Sequence, residues 1–366
     1  MTRKIGKRIM SGIYIAGASS RGQTFKQYIT YLYPEIQIIS YLVDDILENA
    51  TAIDGIPVLL IEEGLDISCP VYIATRGANH EKISKELNEV GFENIIPVTV
   101  QLDIQLRNAY VKQWYYKNGR KFRLIEELNP GKCSLEGLNG TIYVANSIHD
   151  KELKEEYVLK SYEKIIQVGA ALTDERVFQD VLTDCEGDNI SNRNKQFCEL
   201  TGLYWLWKHA GEDYVGLVHY RRHFIMPDDW LLKVANNDID VILPVPLYVA
   251  PSIAENYKAR HIADDWEYLM RYFENNLPDE YHQAIEIFAG NLYNPCNMFI
   301  AKRNVLDDLC TWMFPILDAV WKHGGIKEDS YMNRYPGFIS ERLITYFFEA
   351  RRNKYNIVYA NKIFLQ

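Results

Sequence analysis

The sequence has no run approaching the ~18–20 uninterrupted apolar residues of a membrane-spanning helix, which leaves any membrane contact peripheral. It also lacks a cysteine motif: Cys69, Cys133, Cys185, Cys198, Cys296 and Cys310 are scattered, with no C-x-x-C pair and no histidine at ligand spacing. They read as reduced thiols in a reducing compartment, not as a disulfide frame or a zinc site. Concentrated positive charge is missing too. The formal charge is −9, which argues against nucleic acid as the main partner, because phosphate backbones call for clustered cations. A local basic pocket for one small anion remains compatible with that balance. No cleavage-site pattern follows the basic start Met1–Arg8, so secretion is not expected and a cytoplasmic location is. There is no internal repeat or low-complexity tract.

What is present begins with length. At 366 residues the chain exceeds the roughly 250–300 at which one hydrophobic core stops growing, so two domains are expected. Its 26 Tyr and 7 Trp can stack on sugar rings and bases, and they also fill cores. Residues 1–101 read as alternating strands and helices, with Ile13–Ala16, Ile38–Val43, Val58–Leu60, Val71–Ala74 and Ile95–Val98 as apolar runs. That rhythm predicts a parallel sheet with crossover helices. It fades over 102–138, a polar, basic stretch read as a linker with its own helix. A second α/β domain is expected over 139–366. Its helices are expected over Asn194–Lys208, 253–274, 278–289, Asn304–His323 and Gly337–Arg351, and its strands at Tyr214–Val218, Val241–Pro244, Cys296–Ala301 and Ile357–Tyr359.

In the first domain, Gly17-x-Ser19-x-x-Gly22 follows a strand and precedes a helix, the setting in which backbone amides receive a phosphate. Ser19 stands where the second glycine of such a loop is usual. Asp44, at the end of the second strand, is placed to take a ribose hydroxyl. The alternative is a fold relic serving regulation or assembly. About residues 10–100, through the glycine loop, Leu42-Val43-Asp44-Asp45 and Asp54-Gly55-Ile56-Pro57-Val58, resemble the small Rossmann-like domain at the front of some sugar acyltransferases and polysaccharide-assembly enzymes.

The second domain is denser in chemistry. Its first strand ends toward His149 and Lys151. Val168-Gly169-Ala170-Ala171-Leu172 has small residues that let a backbone approach a flat ligand. Gly187-Asp188-Asn189-Ile190-Ser191, followed by Asn194, reads as a loop entering a helix, which Asn189 or Ser191 could cap. Tyr204 lies in Cys198–Lys208, whose apolar face also fits a core. Gly216-Leu217-Val218-His219-Tyr220-Arg221-Arg222 ends a buried strand in cationic and titratable groups. Arginine forks suit a phosphate and could neutralise a leaving diphosphate, unless structural carboxylates pair with them.

These strings, together with Asn297-Met298-Phe299-Ile300 and Gly337-Phe338-Ile339-Ser340-Glu341-Arg342-Leu343, resemble a bacterial family labelled domain of unknown function 4422. That family occurs in capsular-polysaccharide and O-antigen clusters and is regarded as glycosyltransferases. The resemblance runs from about Ile142 to Ile344. It implies a GT-A-like α/β fold and a donor site for a nucleotide sugar, drawn here from His149, Gly169, Ala170, Asp188, Asn189, Ser191, Asn194, Tyr204, Arg221 and Arg222. Two departures stand out. Asp150 separates His149 from Lys151, where the family commonly has His-Lys. His-Tyr-Arg-Arg occupies the place of the Asp-x-Asp that holds Mg2+ or Mn2+ in GT-A enzymes, which leaves the metal open.

An inverting transfer needs a base for the acceptor hydroxyl. Glu341, read as lying at a helix start, is the first candidate, against a capping-box role, with His219 beside it. His261, Asp264, Asp265 and Asn297 form the acceptor-side set, for which a surface helix is the alternative. The expected activity is transfer of a hexosyl unit, galactose first among them, from a UDP-sugar to a glycan or lipid-linked acceptor in surface-polysaccharide assembly, at the inner face of the cell membrane or free of it. The rival is a non-catalytic sugar-nucleotide-binding assembly or regulatory protein. An oxidoreductase fits less well, because the glycine loop is incomplete.

Overall fold

The apolar run Ile13–Ala16 is buried along its whole length and forms β1, the strand around which the front of the chain is organised. The computed structural model describes residues 12–45, 50–62, 64–132 and 137–365; the basic start Met1–Arg8 and Cys133 lie outside them. The chain divides into two units, Met1–Lys121 and Phe122–Gln366. In the first, β1 is followed by α1 (Ser20–Leu32), β2 (Ile38–Val43), β3 (Ala52–Ile53), β4 (Ile56–Leu60), β5 (Val71–Ile73), α2 (His80–Val90), β6 (Ile95–Pro97) and α3 (Val100–Lys117). The sheet order is β3-β4-β2-β1-β5-β6. All neighbours run parallel except β3 and β4. The strand order reverses between β1 and β5, the kind of switch point at which open α/β sheets leave a crevice. Tyr14, Ala16, Leu42, Val71, Ile73, Leu87 and Phe92 form its core.

The turn from β1 to α1 explains its own glycines. Gly17 has φ +111°, and a Cβ on Gly22 would sit 1.9 Å from the Gly17 carbonyl oxygen. Both positions are dictated by the chain's contact with itself. The expected linker carries α3, capped by Thr99, whose hydroxyl accepts from the Leu102 amide at 3.2 Å. This helix belongs to the first unit, whereas Phe122–Leu128 belongs to the second.

The second unit is built on a sheet of β7 (Gly140–Asn146), β8 (Glu163–Gln167), β9 (Leu182–Thr183), β10 (Tyr214–His219), β12 (Val241–Pro244), β15 (Phe299–Lys302) and β16 (Ile357–Ala360). Its order is β16-β12-β15-β10-β7-β8-β9. Only β15 runs against its neighbours. A ribbon of β11 (Arg222–Phe224) and β17 (Lys362–Phe364) continues from β10, and β13 (Leu247–Tyr248) pairs with β14 (Leu292–Tyr293). Its helices are α4 (Asn194–Phe197), α5 (Leu200–His209), α6 (Trp230–Asn236), α7 (Ile253–Arg260), α8 (Ala263–Asn276), α9 (Pro278–Phe288), α10 (Arg303–Gly324) and α11 (Tyr335–Ala350). The core lies among Ile142, Val144, Val218, Trp230, Ile242 and Ile300. Among the described residues, no helix is long and apolar enough to cross a membrane.

Two helices expected as continuous are broken. The run Asn194–Lys208 is interrupted at Cys198, whose φ is +50°. The run 253–274 stops at His261, which is extended, and α8 restarts with Asp264 and Asp265 in its first turn, where carboxylates favour the helix dipole. The helix expected from Gly337 begins earlier, at Tyr335 with Pro336 in its first turn. Glu341 therefore lies well inside α11, and a capping-box role is not open to it.

Candidate functional site

Because β15 is antiparallel to β10, with Leu217 facing Phe299, the residues entering β15 meet the residues leaving β10. This juxtaposition creates the site. His219, the last residue of β10, is buried and has Nε2 2.5 Å from the Cys296 carbonyl oxygen. That contact assigns the proton to Nε2, and Nδ1 faces Arg222 Nη1 at 3.4 Å. Burial holds the His219 pKa below the ordinary range, with the nearby Glu199 carboxylate opposing. The imidazole is thus a neutral link between strands.

One carboxylate faces it, and a second binds the Cys296 backbone beside it. Glu199, at the start of α5, accepts from the Asn297 side-chain amide at 2.7 Å and lies 3.7 Å from His219 Nε2. Glu341 accepts from the Cys296 backbone N–H at 2.8 Å and pairs with Arg342 at 2.7 Å. Burial raises the Glu341 pKa, with Arg342 opposing. Asn297 also donates to the Gly337 carbonyl and accepts from Ser340, which ties it to α11. Cys198, Cys296 and Asn297 all have positive φ (50°, 75° and 49°). Left-handed backbone on residues with a Cβ costs of order 1–3 kcal/mol each and collects at functional sites.

A third carboxyl comes from the turn after β7. Asp150 accepts from the Ser147 amide at 2.7 Å, and burial lifts its pKa to about 6 despite the fields of Arg221 and Arg334. His149, beside it, is exposed. Arg221 sits in the two-residue turn from β10 to β11, since His219 pairs with Arg222, and its Nε is buried without an acceptor. Arg334 donates Nε–H to Cys198 Sγ at 3.0 Å. Among the described residues, Arg221, Arg222 and Arg334 have no carboxylate oxygen within 4.0 Å, whereas neighbouring Arg342 does. A strand end so furnished can hold an anion on guanidinium forks and accept a proton on a carboxylate of raised pKa.

The other candidates occupy different places. Gly169, Ala170 and Ser191 gather on Asp184, which accepts the Gly169 and Ala170 amides at 2.9 and 3.1 Å and the Ser191 hydroxyl. Gly169 (φ +70°) is small for the sake of Asn194, whose Cγ would lie 2.6 Å from an added Cβ. Asn194 donates to the Cys198 carbonyl and to Thr201, while Asn189 accepts from the Ser191 amide. Tyr204 donates to Asp188 at 3.1 Å. On the acceptor side, Asp264 pairs with His323 and Asp265 with Lys327. His261 stacks on Phe338 with centroids 4.1 Å apart, and burial, then Arg342 and Arg260, lowers its pKa to about 4. In the first unit Ser19 precedes α1 without a side-chain cap bond, and Asp44 is taken by Lys82 at 2.7 Å.

A divalent cation in a diphosphate site needs oxygen ligands. The strand end presents Arg221 and Arg222 instead, and among the described residues no three His, Cys, Asp or Glu are grouped to hold a metal ion. These residues do not fit Mg2+ or Mn2+. Sequence reasoning missed Glu199, Asp150, Asp184 and Arg334. Asp150 had a signal, as the residue interposed between His149 and Lys151. Arg334 had none, because only the chain's return at Tyr331–Arg334 brings it to Cys198.

A family model described as Domain of unknown function (DUF4422) matches residues 142–353, more than half of the chain. Among solved structures, the chain is similar to the apo form of WbbM, a bifunctional glycosyltransferase, with a TM-score of 0.55 and 22% identity over 62% of this chain and 46% of that one. The likeness spans less than half of that protein. It shows the fold, a mixed α/β arrangement with parallel-rich sheets similar to a glycosyltransferase fold. No curated protein matches the chain.

Proposed function

This chain belongs to the family described as a domain of unknown function, DUF4422, and from that premise we propose that it is a nucleotide-sugar-dependent glycosyltransferase. In this reading the second unit is GT-A-like and moves a hexosyl unit, galactose first among candidates, from a UDP-sugar to a glycan or lipid-linked acceptor in surface-polysaccharide assembly. The observation that carries the reading is the pair of guanidinium groups, Arg221 and Arg222, at the end of β10, neither ion-paired to a carboxylate among the described residues, with Arg222 close enough to act on the Glu341 carboxyl.

The chemistry follows from these groups. In an inverting transfer the acceptor oxygen bonds to the anomeric carbon as the bond from that carbon to the diphosphate oxygen breaks, and the hydroxyl proton passes to Glu341. The departing diphosphate gains charge as it leaves, and fixed cations stabilise that charge without reorganising. Holding donor and acceptor in line supplies the remainder. The first unit, on this reading, is a Rossmann-like domain with a nucleotide-type ligand at the turn Gly17–Gly22.

Purified protein incubated with UDP-hexoses and candidate acceptors is expected to release UDP. Glu341→Gln should keep donor affinity and fold while losing roughly 10²-fold or more in turnover. Near-parental turnover of that variant would remove Glu341 from the mechanism. Tight UDP-sugar binding with neither hydrolysis nor transfer would favour the non-catalytic assembly role.

A further inference from the structure

The cationic ground at the end of β10 is wider than the His-Tyr-Arg-Arg string. In the β11–β17 ribbon Arg222 stands opposite Phe364, and Phe224 opposite Lys362. Directly paired residues share a face, and so do residues two apart on one strand. Arg222 and Lys362 therefore project from the same side. Both arginines close on the same ring: Phe364 has the Arg221 and Arg222 guanidinium carbons 5.4 and 5.3 Å from its centroid. Arg334 is tethered to Cys198, whose neighbour Glu199 reaches His219, and Arg334 and Arg222 both act on that imidazole. The Cys296 thiol registers the convergence: burial raises its pKa most, and Lys362, Glu341, Arg222 and Glu199 all act on it.

We propose that Arg334 and Lys362 complete, with Arg221 and Arg222, a single seat for a diphosphate, which these four cations neutralise in place of a divalent metal ion. Like charges gathered with no carboxylate in ion-pair contact among the described residues repel one another, so the arrangement is stabilised by an anion that bridges them. The Arg221 Nε that lacks an acceptor is a donor such a ligand satisfies. Arg342 stays outside the seat, since Glu341 holds it. The inference rests on the glycosyltransferase reading for its ligand, a nucleoside diphosphate group. The seat itself is tested with inorganic pyrophosphate, which carries no sugar or base.

Calorimetric titration of the full chain with pyrophosphate and with UDP, each in EDTA and in Mn2+, separates the possibilities. Both ligands are expected to bind in EDTA with affinity little changed by Mn2+. Arg334→Ala and Lys362→Ala should each weaken pyrophosphate about tenfold or more, in line with loss of a charge-assisted hydrogen bond. Arg334→Lys should recover part of the loss. Should Arg334→Ala unfold the α4–α5 junction, Lys362→Ala, on the β11–β17 ribbon, still reads the seat. Binding that appears only with Mn2+, or parental affinity in both alanine variants, overturns the inference and leaves the glycosyltransferase reading standing if UDP-sugar is turned over. Metal-free pyrophosphate binding that depends on both residues, with no UDP-sugar turnover, supports the seat and removes the glycosyltransferase reading.

Discussion

Asp150 carries the titration most open to measurement. Its carboxyl has a pKa of about 6 against an ordinary 3.8, with burial as the leading cause. A raised carboxyl pKa means that the folded protein holds a proton which the unfolded chain has already lost between those values. Stability from this group is therefore present at low pH and falls as pH rises from about 4 to about 6. Asp150→Asn should remove that fall, so the melting temperature of the variant relative to the parent should rise across this window and level off above it. A constant difference from pH 4 to pH 7 would show that Asp150 is solvated. At this scale the sequence was partly legible. Arg221, Arg222, Glu341 and Asn297 stand out by type and position, and the fold brings them to one strand end. Glu199 and Arg334 do not, because their meaning comes from contacts with residues far along the chain. Gly169 and Asn194 were visible as a pair of signals but not as partners. The small residue that suggested room for a ligand makes room for the asparagine.

Elements were more legible than their interruptions. Strands stood out wherever an apolar run is buried on both faces, as at Tyr214–His219, where all six residues are buried. The breaks at Cys198 and His261 carry neither proline nor glycine, the residues that punctuate a helix in sequence. Tertiary contacts surround them instead: Arg334 on Cys198 and Phe338 on His261. The glycine signal before α1 was visible, and the structure adds a packing requirement at Gly22 to the phosphate approach it suggested. Gly22 lets the first turn of α1 rest on the Gly17 carbonyl, and a Cβ there would lie 1.9 Å from that oxygen. Gly22→Ala should therefore destabilise the first unit by about 1–3 kcal/mol, the scale of overpacking at a site where backbone has to move. Chemical denaturation followed by tyrosine fluorescence checks this. An unchanged midpoint would mean that the turn relaxes freely.

For the whole molecule, the sequence suggested two α/β units, and contacts divide the chain at a different point from the change in strand rhythm. The strand rhythm resumes at Gly140, which set the expected start at 139, but the second unit opens at Phe122. The reason is physical: the segment 122–128 is short, irregular and charged, yet Phe122, Ile125 and Leu128 are buried. Phe122 stacks on Tyr359 with centroids 5.2 Å apart, and Ile125 and Leu128 enter the main core. Arg123 donates to Asn356 at 2.7 Å. The buried Lys233 ammonium donates to the Glu126 and Leu128 carbonyls at 3.1 and 2.7 Å. A fragment of residues 139–366 would lose three buried side chains worth about 1.5–3 kcal/mol each and leave Lys233 without these acceptors, a further cost for a charge in the interior. A loss of several kcal/mol is comparable with the about 5–15 kcal/mol that holds a domain folded. Residues 122–366 should therefore unfold cooperatively in urea, while residues 139–366 should unfold at a much lower urea midpoint or fail to fold. Equal midpoints for the two fragments would show that Phe122–Leu128 lies on the second unit without supporting it.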